Sequence, residues 1–379
     1  MPLIVAIPVE RRAGETRVAA TPETVKKLKG LGLDVRVEAG AGAAARISDD
    51  EFAGAGATVV LTQSALLSDA DVVLKVRGPM AQEIAQIKKG TIVVGLLAPA
   101  SERELINRMA GAGITAFAME YLPRISRAQS MDVLSSQANL AGYKAAIDAA
   151  AQFGRAMPMM MTAAGTIAPA RVLVMGAGVA GLQAIATARR LGAIVSATDV
   201  RPATKEQVES LGATFVAVMD DEFKQAQTAT GYAKEMSKDY QAKQAALIAE
   251  TIRKQDIVIT TALIPGRKAP VLVTEEMVQT MRRGSVIVDL AAEQGGNCPL
   301  TKADQVIEAH GVTIMGYTNL PGHLAVDASN LYARNLFNFV SLFVDKKTGN
   351  AQINWDDEII KGANLMRDGT ITHPALSAA

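Results

Sequence analysis

The sequence has 379 residues and a formal net charge of +1, and 49% of its residues are hydrophobic while only 4% are aromatic. This length predicts two domains, the balanced charge argues against binding of nucleic acid or anionic lipid, and no apolar stretch is long enough to cross a membrane. A disulfide framework and a metal site are also not expected, because one cysteine and three histidines lack the required number or spacing: Cys298, His310, His323 and His373. We expect Cys298 to be an inert thiol.

The first part of the chain alternates short β-branched runs with helical patterns, which predicts a parallel sheet with crossover helices. One helix is capped by Thr21 or Thr24, and another begins at Ser101, where Glu104 completes the pattern of a capping box. The predicted strands are residues 3–9, 34–40, 58–61, 71–76, 91–96 and 114–119.

A long helical pattern then runs from residue 135 to 154, and it would span about 30 Å. That length suits a connector between two domains. A second α/β pattern follows, after which an apolar helix at residues 328–344 returns the chain to the first domain. The predicted strands of this second pattern are residues 171–178, 194–200, 214–218, 256–263, 285–291 and 312–319.

The sequence GAGVAG, residues 176–181, follows the apolar run RVLVM and opens a helix with apolar spacing. Gly176 permits a tight turn, Gly178 lets a pyrophosphate approach the backbone, and Gly181 lets the helix pack close to the strand. The free N–H groups at the helix N-terminus then meet the phosphate charge. The residues predicted to bind a dinucleotide here are Gly176, Ala177, Gly178, Val179 and Gly181.

A carboxylate ends the next strand, because Asp199 in SATDVR lies 23 residues after Gly176, where an acid binds the adenosine ribose hydroxyls. This agreement of strand, turn, helix and acid favours dinucleotide binding over a purely structural glycine turn. Asp199 favours NAD(H), because it would repel a 2′-phosphate, and its neighbours Val200 and Arg201 are included in the predicted site. Arg201 leaves two alternatives open, since its guanidinium either pairs with a phosphate or lies over the adenine face.

These patterns predict an α/β fold of two Rossmann-like, doubly wound parallel-sheet domains joined by long helices. The N-terminal α/β domain is discontinuous and comprises residues 1–137 and 327–379. The NAD(H)-binding domain comprises residues 138–326.

Two stretches resemble the alanine dehydrogenases, namely IPVERRAGETRVAATPETV and DADVVLKVRGP. The resemblance implies that Arg17 and Lys75 match the arginine and lysine that hold the keto acid in those enzymes. Their acid/base histidine aligns with Leu97, and their aspartate near the nicotinamide aligns with Glu293. Because the proton-moving group is missing, an autonomous alanine dehydrogenase-like enzyme is the alternative function, and a structural role for Lys75 stays open.

A closer resemblance covers essentially the whole chain, from residue 3 to the tail RDGTITHPAL. Its most specific segment is RISRAQSMD, and the other matching segments include PMMMTAAGT, DVRPATKEQVESLGA, TTALIPGRKAPVL and DLAAEQGGNCPL. These resemble the NAD(H)-binding component of proton-translocating nicotinamide nucleotide transhydrogenases. The resemblance implies direct hydride transfer from NADH to NADP⁺. Such carbon-to-carbon transfer needs no solvent proton at the reaction centre, which agrees with the missing acid/base group.

The resemblance also implies roles at the hydride-transfer centre for four residues of one loop. Gln129 would lie between the two nicotinamide sites, and Arg124 would brace the arrangement. Asp132 and Ser135 would fix the carboxamide or ribose of NADH. From the residues alone, Arg124 and Asp132 also fit a surface ion pair and Gln129 a helix-entry position, but the complete motif favours the hydride-transfer centre.

Residues 219–243 form a polar stretch that is unusually long for a connection and indicates a lid or disorder. The resemblance implies that Tyr232 and Met236 take part in closing this region over the nucleotide, with Gly231 as the flexible point. Further NAD contacts are implied at Gln244 and Leu263.

The chain lacks a membrane segment and a second glycine-rich nucleotide site, so we expect it to be inactive without partners. The resemblance implies that NAD(H) binds here and NADP(H) on a separate NADP(H)-binding component, with a membrane-spanning component completing the complex. It also implies a homodimer in the cytoplasm, peripheral to the inner membrane through its partners and not inserted itself. A non-catalytic nucleotide sensor is a further alternative, but it leaves the RISRAQSMD loop unexplained.

Overall fold

The computed structural model describes residues 2–224, 236–264, 266–345 and 348–377. The chain divides into a first unit, residues 1–137 with 321–379, and a second unit, residues 138–320. The predicted domain boundaries, which place the return of the chain at residue 327, concern parts that fold on their own, and they stay a prediction.

The first unit begins with strands and helices in strict alternation, as the sequence predicts. Thr21 is the N-cap of the first helix, and its backbone N–H donates to Thr24 Oγ1 at 2.9 Å. Pro22 follows at the first helical position, where its missing N–H costs nothing. The elements are β1 (Ile4–Ile7), α1 (Pro22–Gly30), β2 (Asp34–Glu38), α2 (Asp49–Gly54), β3 (Thr58–Val60), α3 (Gln63–Leu67), β4 (Val72–Arg77), α4 (Ala81–Ile84), β5 (Ile92–Leu96), α5 (Arg103–Gly111) and β6 (Thr115–Ala118).

The predicted capping box at Ser101 is wrong. Helix α5 has Glu102 as its N-cap residue, with no side-chain capping hydrogen bond. Ser101 Oγ instead donates to the carbonyl of Ala98, and Glu104 forms an i,i+4 ion pair with Arg108. The acid therefore stabilises the exposed face of the helix and does not return to cap its first turn.

A long helix leads from the first unit into the second, where the described strands form a seven-stranded sheet in the order β11-β10-β9-β12-β13-β15-β14. All pairs of this sheet are parallel except β14 with β15. The elements are α6 (Val133–Gln152), β7 (Met160–Thr162), β8 (Gly165–Ile167), β9 (Arg171–Met175), α7 (Val179–Arg190), β10 (Ile194–Thr198), α8 (Thr204–Ser210), β11 (Thr214–Phe215), α9 (Asp221–Lys224), α10 (Lys238–Ile252), β12 (Ile257–Thr260), α11 (Glu275–Thr280), β13 (Val286–Asp289), β14 (Val306–Ala309) and β15 (Val312–Met315).

The returning segment completes the first unit, whose described strands form an eight-stranded sheet in the order β17-β16-β6-β5-β4-β1-β2-β3. Strand β16 runs antiparallel to β6, and β17 antiparallel to β16, so the sheet is parallel except at this edge. The elements of the segment are α12 (Ala325–Val340), α13 (Glu358–Ala363), β16 (Asn364–Arg367), β17 (Thr370–Ile371) and α14 (Pro374–Ser377).

Small side chains explain how helices pack closely in the second unit. Ala145, Ala146 and Ala149 of α6 are buried in its core. At Gly142, a Cβ atom would lie only 2.0 Å from the carbonyl oxygen of Ala180 at the start of α7. Close packing of α6 on α7 therefore requires glycine there, which accounts for a chain rich in small residues and poor in aromatic ones.

Candidate functional site

The strand order of the second unit creates a crevice at the carboxyl ends of β9 and β12. From β9 the chain moves outward on one side to β10 and β11, and it then crosses to β12 on the other side of β9. In open α/β sheets such a reversal separates the two crossover connections, and ligands bind in the resulting crevice. The glycine turn, residues 176–178, follows β9 at this position.

The three glycines of the turn meet three different surroundings. Gly176 has φ 107°, a left-handed conformation that favours glycine. A Cβ atom on Gly181 would lie 1.8 Å from the carbonyl oxygen of Gly176, so α7 starts directly against the turn. A Cβ atom on Gly178 would have no neighbour within 4 Å, and Gly178 is the N-cap residue of α7. The open space thus lies at the helix N-terminus, where free N–H groups favour an anion.

Asp199 lies beside this turn, and its carboxylate is held by backbone and side-chain donors. The N–H of Ala177 donates to Oδ2 at 2.7 Å, and the N–H of Arg201 donates to Oδ1 at 2.8 Å. The guanidinium of Arg201 adds Nε to Oδ1 and Nη2 to Oδ2, both at 2.9 Å. These hydrogen bonds to Asp199 raise the pKa of Arg201. The predicted acid is therefore brought to the glycine turn, and it is bonded to the predicted arginine.

Apolar side chains surround the turn and are unusually exposed. The exposed fractions are 41% for Val179, 60% for Val200, 47% for Leu263 and 44% for Ile264. Gln244 links two strand ends here, since its Oε1 accepts from the N–H of Val218 at 2.8 Å and its Nε2 donates to Thr198 Oγ1 at 3.2 Å. An apolar rim with a few fixed polar groups is typical of a small-molecule site.

Two buried residues that the sequence analysis missed fix the loops after β12 and β13. Asn297 is fully buried; its Oδ1 accepts from the N–H of Ala262 at 3.1 Å, and its Nδ2 donates to the carbonyls of Ala262 and Pro270 at 2.9 and 2.7 Å. Asp289 is also fully buried and accepts from the N–H of Asn297 at 2.7 Å. The available signal was an acid that directly ends the buried strand VIVD.

Asp289 accepts further hydrogen bonds, so it organises the whole loop that follows its strand. Its Oδ1 accepts from Thr260 Oγ1 and the N–H of Ala291, and its Oδ2 accepts from the N–H of Cys298 and from Thr301 Oγ1. Burial raises the pKa of the Cys298 thiol, which suits an unreactive side chain.

The RISRAQSMD loop lies in the first unit and leads into α6. Asp132 accepts from the N–H of Ser135 at 2.9 Å through Oδ1 and from Ser135 Oγ at 2.5 Å through Oδ2. Asp132 therefore satisfies a free N–H at the start of α6, as a capping residue does. Gln129 and Arg124 are exposed on the same loop, and within the described residues the side-chain amide of Gln129 makes no hydrogen bond.

The long polar stretch is folded at both ends. Residues 221–224 and 238–243 belong to α9 and α10, which corrects the expectation of a lid or disorder for these parts. Buried Phe223 and Tyr240 stack with a centroid distance of 6.3 Å, and the side-chain amide of Gln241 donates to the carbonyl of Met236. The predicted positions Gly231 and Tyr232 lie outside the described residues.

The residues that match the keto-acid site of alanine dehydrogenases are buried and bonded to acids of this chain. Arg17 is 4% exposed; its Nε and Nη2 each donate to Glu15 at 2.7 Å. Lys75 is 2% exposed and bonds to Glu83 at 2.9 Å, with Glu10 at 3.4 Å. Burial raises the pKa of Glu10. In this structure the two cations neutralise internal carboxylates.

Leu97, which aligns with the histidine of alanine dehydrogenases, is fully buried in the apolar core of the first unit. It offers neither a proton nor a polar atom. Across the described ranges, no group of three or more His, Cys, Asp or Glu side chains is placed to hold a metal ion. No helix in the described part of the chain is both long and apolar enough to cross a membrane.

Two family descriptions match the chain in succession. The alanine dehydrogenase/PNT N-terminal domain matches residues 6–141, and the alanine dehydrogenase/PNT C-terminal domain matches residues 145–374. This chain belongs to the alanine dehydrogenase/PNT family. Within the family it is 57% identical to the first of the chains that form NAD(P) transhydrogenase subunit alpha in Rhodospirillum rubrum, over 98% of each chain.

Other members of the alanine dehydrogenase/PNT family support the same placement. The crystal structure of transhydrogenase from Sinorhizobium meliloti has a TM-score of 0.89 and 56% identity, and the match covers 97% of this chain and 100% of that one. Alanine dehydrogenase of Halomonas elongata is 31% identical over 99% of this chain and 96% of its own length. The predicted resemblance and the predicted α/β fold class are confirmed.

Proposed function

We propose that this chain is the NAD(H)-binding subunit of a proton-translocating, Re/Si-specific NAD(P)⁺ transhydrogenase. The observation that carries this proposal is the 57% identity, across nearly the full length, to the alpha-subunit chain of the Rhodospirillum rubrum transhydrogenase. The glycine turn at the crevice of the second unit supports it, because the open backbone at Gly178 fits a pyrophosphate.

The residues around the crevice divide the work of binding NAD(H). The turn of Gly176, Ala177 and Gly178 offers backbone N–H groups to the pyrophosphate, and Gly181 keeps α7 close enough to do so. Asp199 accepts the ribose hydroxyls, and the exposed apolar side chains line the nucleotide. The residues proposed to line it are Val179, Val200, Arg201, Gln244 and Leu263, with Gly231 and Tyr232 carried over from the resemblance.

The RISRAQSMD loop is proposed to orient the reacting ring. Asp132 and Ser135 form one hydrogen-bonded unit at the start of α6, which fixes both side chains before a ligand arrives. The exposed amide of Gln129 has its donors and acceptor available, and Arg124 braces the loop. Orientation of this kind supplies a large part of the barrier reduction when two rings must approach closely.

Bound NADH supplies a hydride from its dihydronicotinamide ring, and transfer to the ring of NADP⁺ requires no proton at the reaction centre. Buried Leu97 accordingly provides no acid or base. The residues of this chain bind and orient the donor, whereas a separate NADP(H)-binding component presents the acceptor. A membrane-spanning component couples the reaction to proton translocation. We further propose a homodimer that lies on the cytoplasmic side of the inner membrane through these partners.

Alanine dehydrogenase activity is the second candidate, since 31% identity to such an enzyme and the presence of Arg17 and Lys75 favour it. The bonding of Arg17 to Glu15, and of Lys75 to Glu83, argues against it, because a keto acid would have to displace buried internal carboxylates.

One experiment separates the two functions. The purified chain is assayed for oxidation of NADH with pyruvate and ammonium, and then with an NADP(H)-binding component and NADP⁺. We expect activity only in the second assay. Oxidation of NADH by pyruvate and ammonium at the rate of an ordinary dehydrogenase would overturn the proposal.

A further inference from the structure

The carboxylate of Asp199 is saturated with donors from the protein itself. A carboxylate offers about four lone-pair positions, and each Asp199 oxygen already accepts two hydrogen bonds. The ribose hydroxyls of a nucleotide therefore find no free position on this acid. This inference rests on the proposed function, in which Asp199 receives those hydroxyls.

The four bonds are of two kinds. Two come from the backbone N–H groups of Ala177 and Arg201, one to each oxygen, and they fix the carboxylate to the glycine turn and to its own loop. The other two come from the Arg201 guanidinium, again one to each oxygen. Removal of the guanidinium alone would leave Asp199 in place with one open position on each oxygen. A vicinal diol carries two neighbouring donors and matches that pair of positions.

Arg201 is also free to leave. Its side chain is 34% exposed, compared with 5% for Asp199. Within the described residues, its guanidinium bonds to no side chain other than Asp199. Displacement therefore breaks only the pair with Asp199 and leads toward solvent.

We infer that the Arg201 guanidinium occupies the place of the adenosine ribose diol in the free protein and is displaced when NAD(H) binds. Arg201 thereby weakens NAD(H) binding, because the ion pair has to be broken. The displaced guanidinium, which stays charged and presents a planar fork of donors, then lies near the 2′ position and would pair with a 2′-phosphate. Arg201 is a specificity-determining residue that narrows the preference of Asp199 for NAD(H) over NADP(H).

The test compares Arg201→Met with the parent in equilibrium titrations of NADH and NADPH. Arg190→Met, at the exposed C-terminal end of α7, is the control for loss of a positive charge. We expect Arg201→Met to bind NADH about 2- to 10-fold more tightly, the range that a partly exposed ion pair supports, and to bind NADPH more weakly. Arg201→Lys, which keeps the charge without the fork, should retain more NADPH binding than Arg201→Met.

Unchanged or weaker NADH binding by Arg201→Met, relative to Arg190→Met, overturns the inference and leaves the nucleotide site intact. Failure of the parent protein to bind NADH overturns the proposed function as well. The two failures are thus distinguished within one set of titrations.

Discussion

The three glycines after β9 differ in what a methyl group would meet, which makes the turn testable one residue at a time. Gly178→Ala adds a methyl group to open space, so the fold should be retained, but the methyl then lies where the pyrophosphate approaches the backbone. We expect NADH binding to weaken about 10-fold or more through loss of charge-assisted hydrogen bonds. Isothermal titration calorimetry measures this.

Two controls accompany that variant. Gly30→Ala adds a methyl group to open space at the end of α1, and NADH binding should not change. Gly181→Ala places a methyl group 1.8 Å from a backbone oxygen, so it should lower the free energy of unfolding by about 1–3 kcal/mol or more. Equal NADH affinity for Gly178→Ala and Gly30→Ala would show that the pyrophosphate lies elsewhere.

Gln129 is the residue of the RISRAQSMD loop whose proposed role is purely positional. Gln129→Asn keeps the amide but shortens its reach by one methylene. NADH affinity should stay within a few-fold of the parent, whereas hydride transfer to partner-bound NADP⁺ should slow by about a decade or more, since misplacement by about 1 Å can cost 100-fold. Stopped-flow transfer measures the rate, and the exposed Gln352→Asn is the control. A normal rate for Gln129→Asn would assign the positioning to other groups.

At the residue scale, the sequence predicts positions that depend on the backbone and misses those that depend on side-chain packing. The turn of Gly176, Gly178 and Gly181 follows from their order between a strand and a helix, and Asp199 follows from its place at a strand end. The pairing of Arg201 with Asp199 depends on side-chain torsions, which no spacing encodes. Asn297 was missed for a related reason, because its partners Ala262 and Pro270 are distant in the chain.

The loops after β12 and β13 behave as one structural element because Asn297 joins them. Asn297→Asp keeps the acceptor for the N–H of Ala262 but removes the donors to two buried carbonyls. We expect a loss of about 1–3 kcal/mol in the free energy of unfolding, the cost of unsatisfied buried groups, and weaker NADH binding. Urea denaturation and NADH titration measure the two effects. Asn338→Ala, which loses one exposed hydrogen bond, should change neither by much; parent-like NADH binding by Asn297→Asp would separate these loops from the nucleotide site.

Helices α1 and α12 are joined by Glu23, which accepts hydrogen bonds from Arg334 and Lys27. These bonds, chiefly that from Arg334, lower the pKa of Glu23 to about 2. A carboxyl group with a lowered pKa stabilises the fold above its ordinary value near 4.5, and that contribution is lost as the pH falls toward 2. Because the pair is about half exposed, we expect Glu23→Gln to cost less than about 1 kcal/mol.

Denaturation of the parent and of Glu23→Gln at about pH 7 and about pH 3 measures this contribution. The difference between the two proteins should be present at the higher pH and smaller at the lower one. A difference that does not change with pH would mean that the Gln substitution acts through packing and that the ion pair contributes nothing.

At the scale of elements, the alternation of apolar runs with helical patterns correctly predicts the parallel strands of both sheets. The antiparallel strands at the sheet edges were not predicted, and neither was the hairpin of β7 and β8. Strands such as β17 have as few as two residues, so their existence depends on a neighbouring strand and not on their own pattern. The start of α5 was misplaced because Glu104 has two possible partners in the sequence, Ser101 and Arg108.

The whole molecule combines two α/β units, and the sequence predicts this from the two long helices. In the first unit, the matches to alanine dehydrogenases at Arg17 and Lys75 suggest a substrate site when only the sequence is considered. The structure shows these cations bonded to Glu15, Glu83 and Glu10. Three-dimensional pairing of this kind cannot be inferred from one residue at a time, and here it separates two functions that share a fold.

The central claim is that this chain passes a hydride directly to a nicotinamide held by a partner. The most direct measurement is a single turnover in which NADH labelled with deuterium at the transferred position is mixed with this chain and a partner component carrying NADP⁺. The account predicts that the NADPH formed retains the deuterium, with no hydrogen acquired from water. NADPH that carries hydrogen from the solvent, or no NADPH at all with a competent partner, would contradict it.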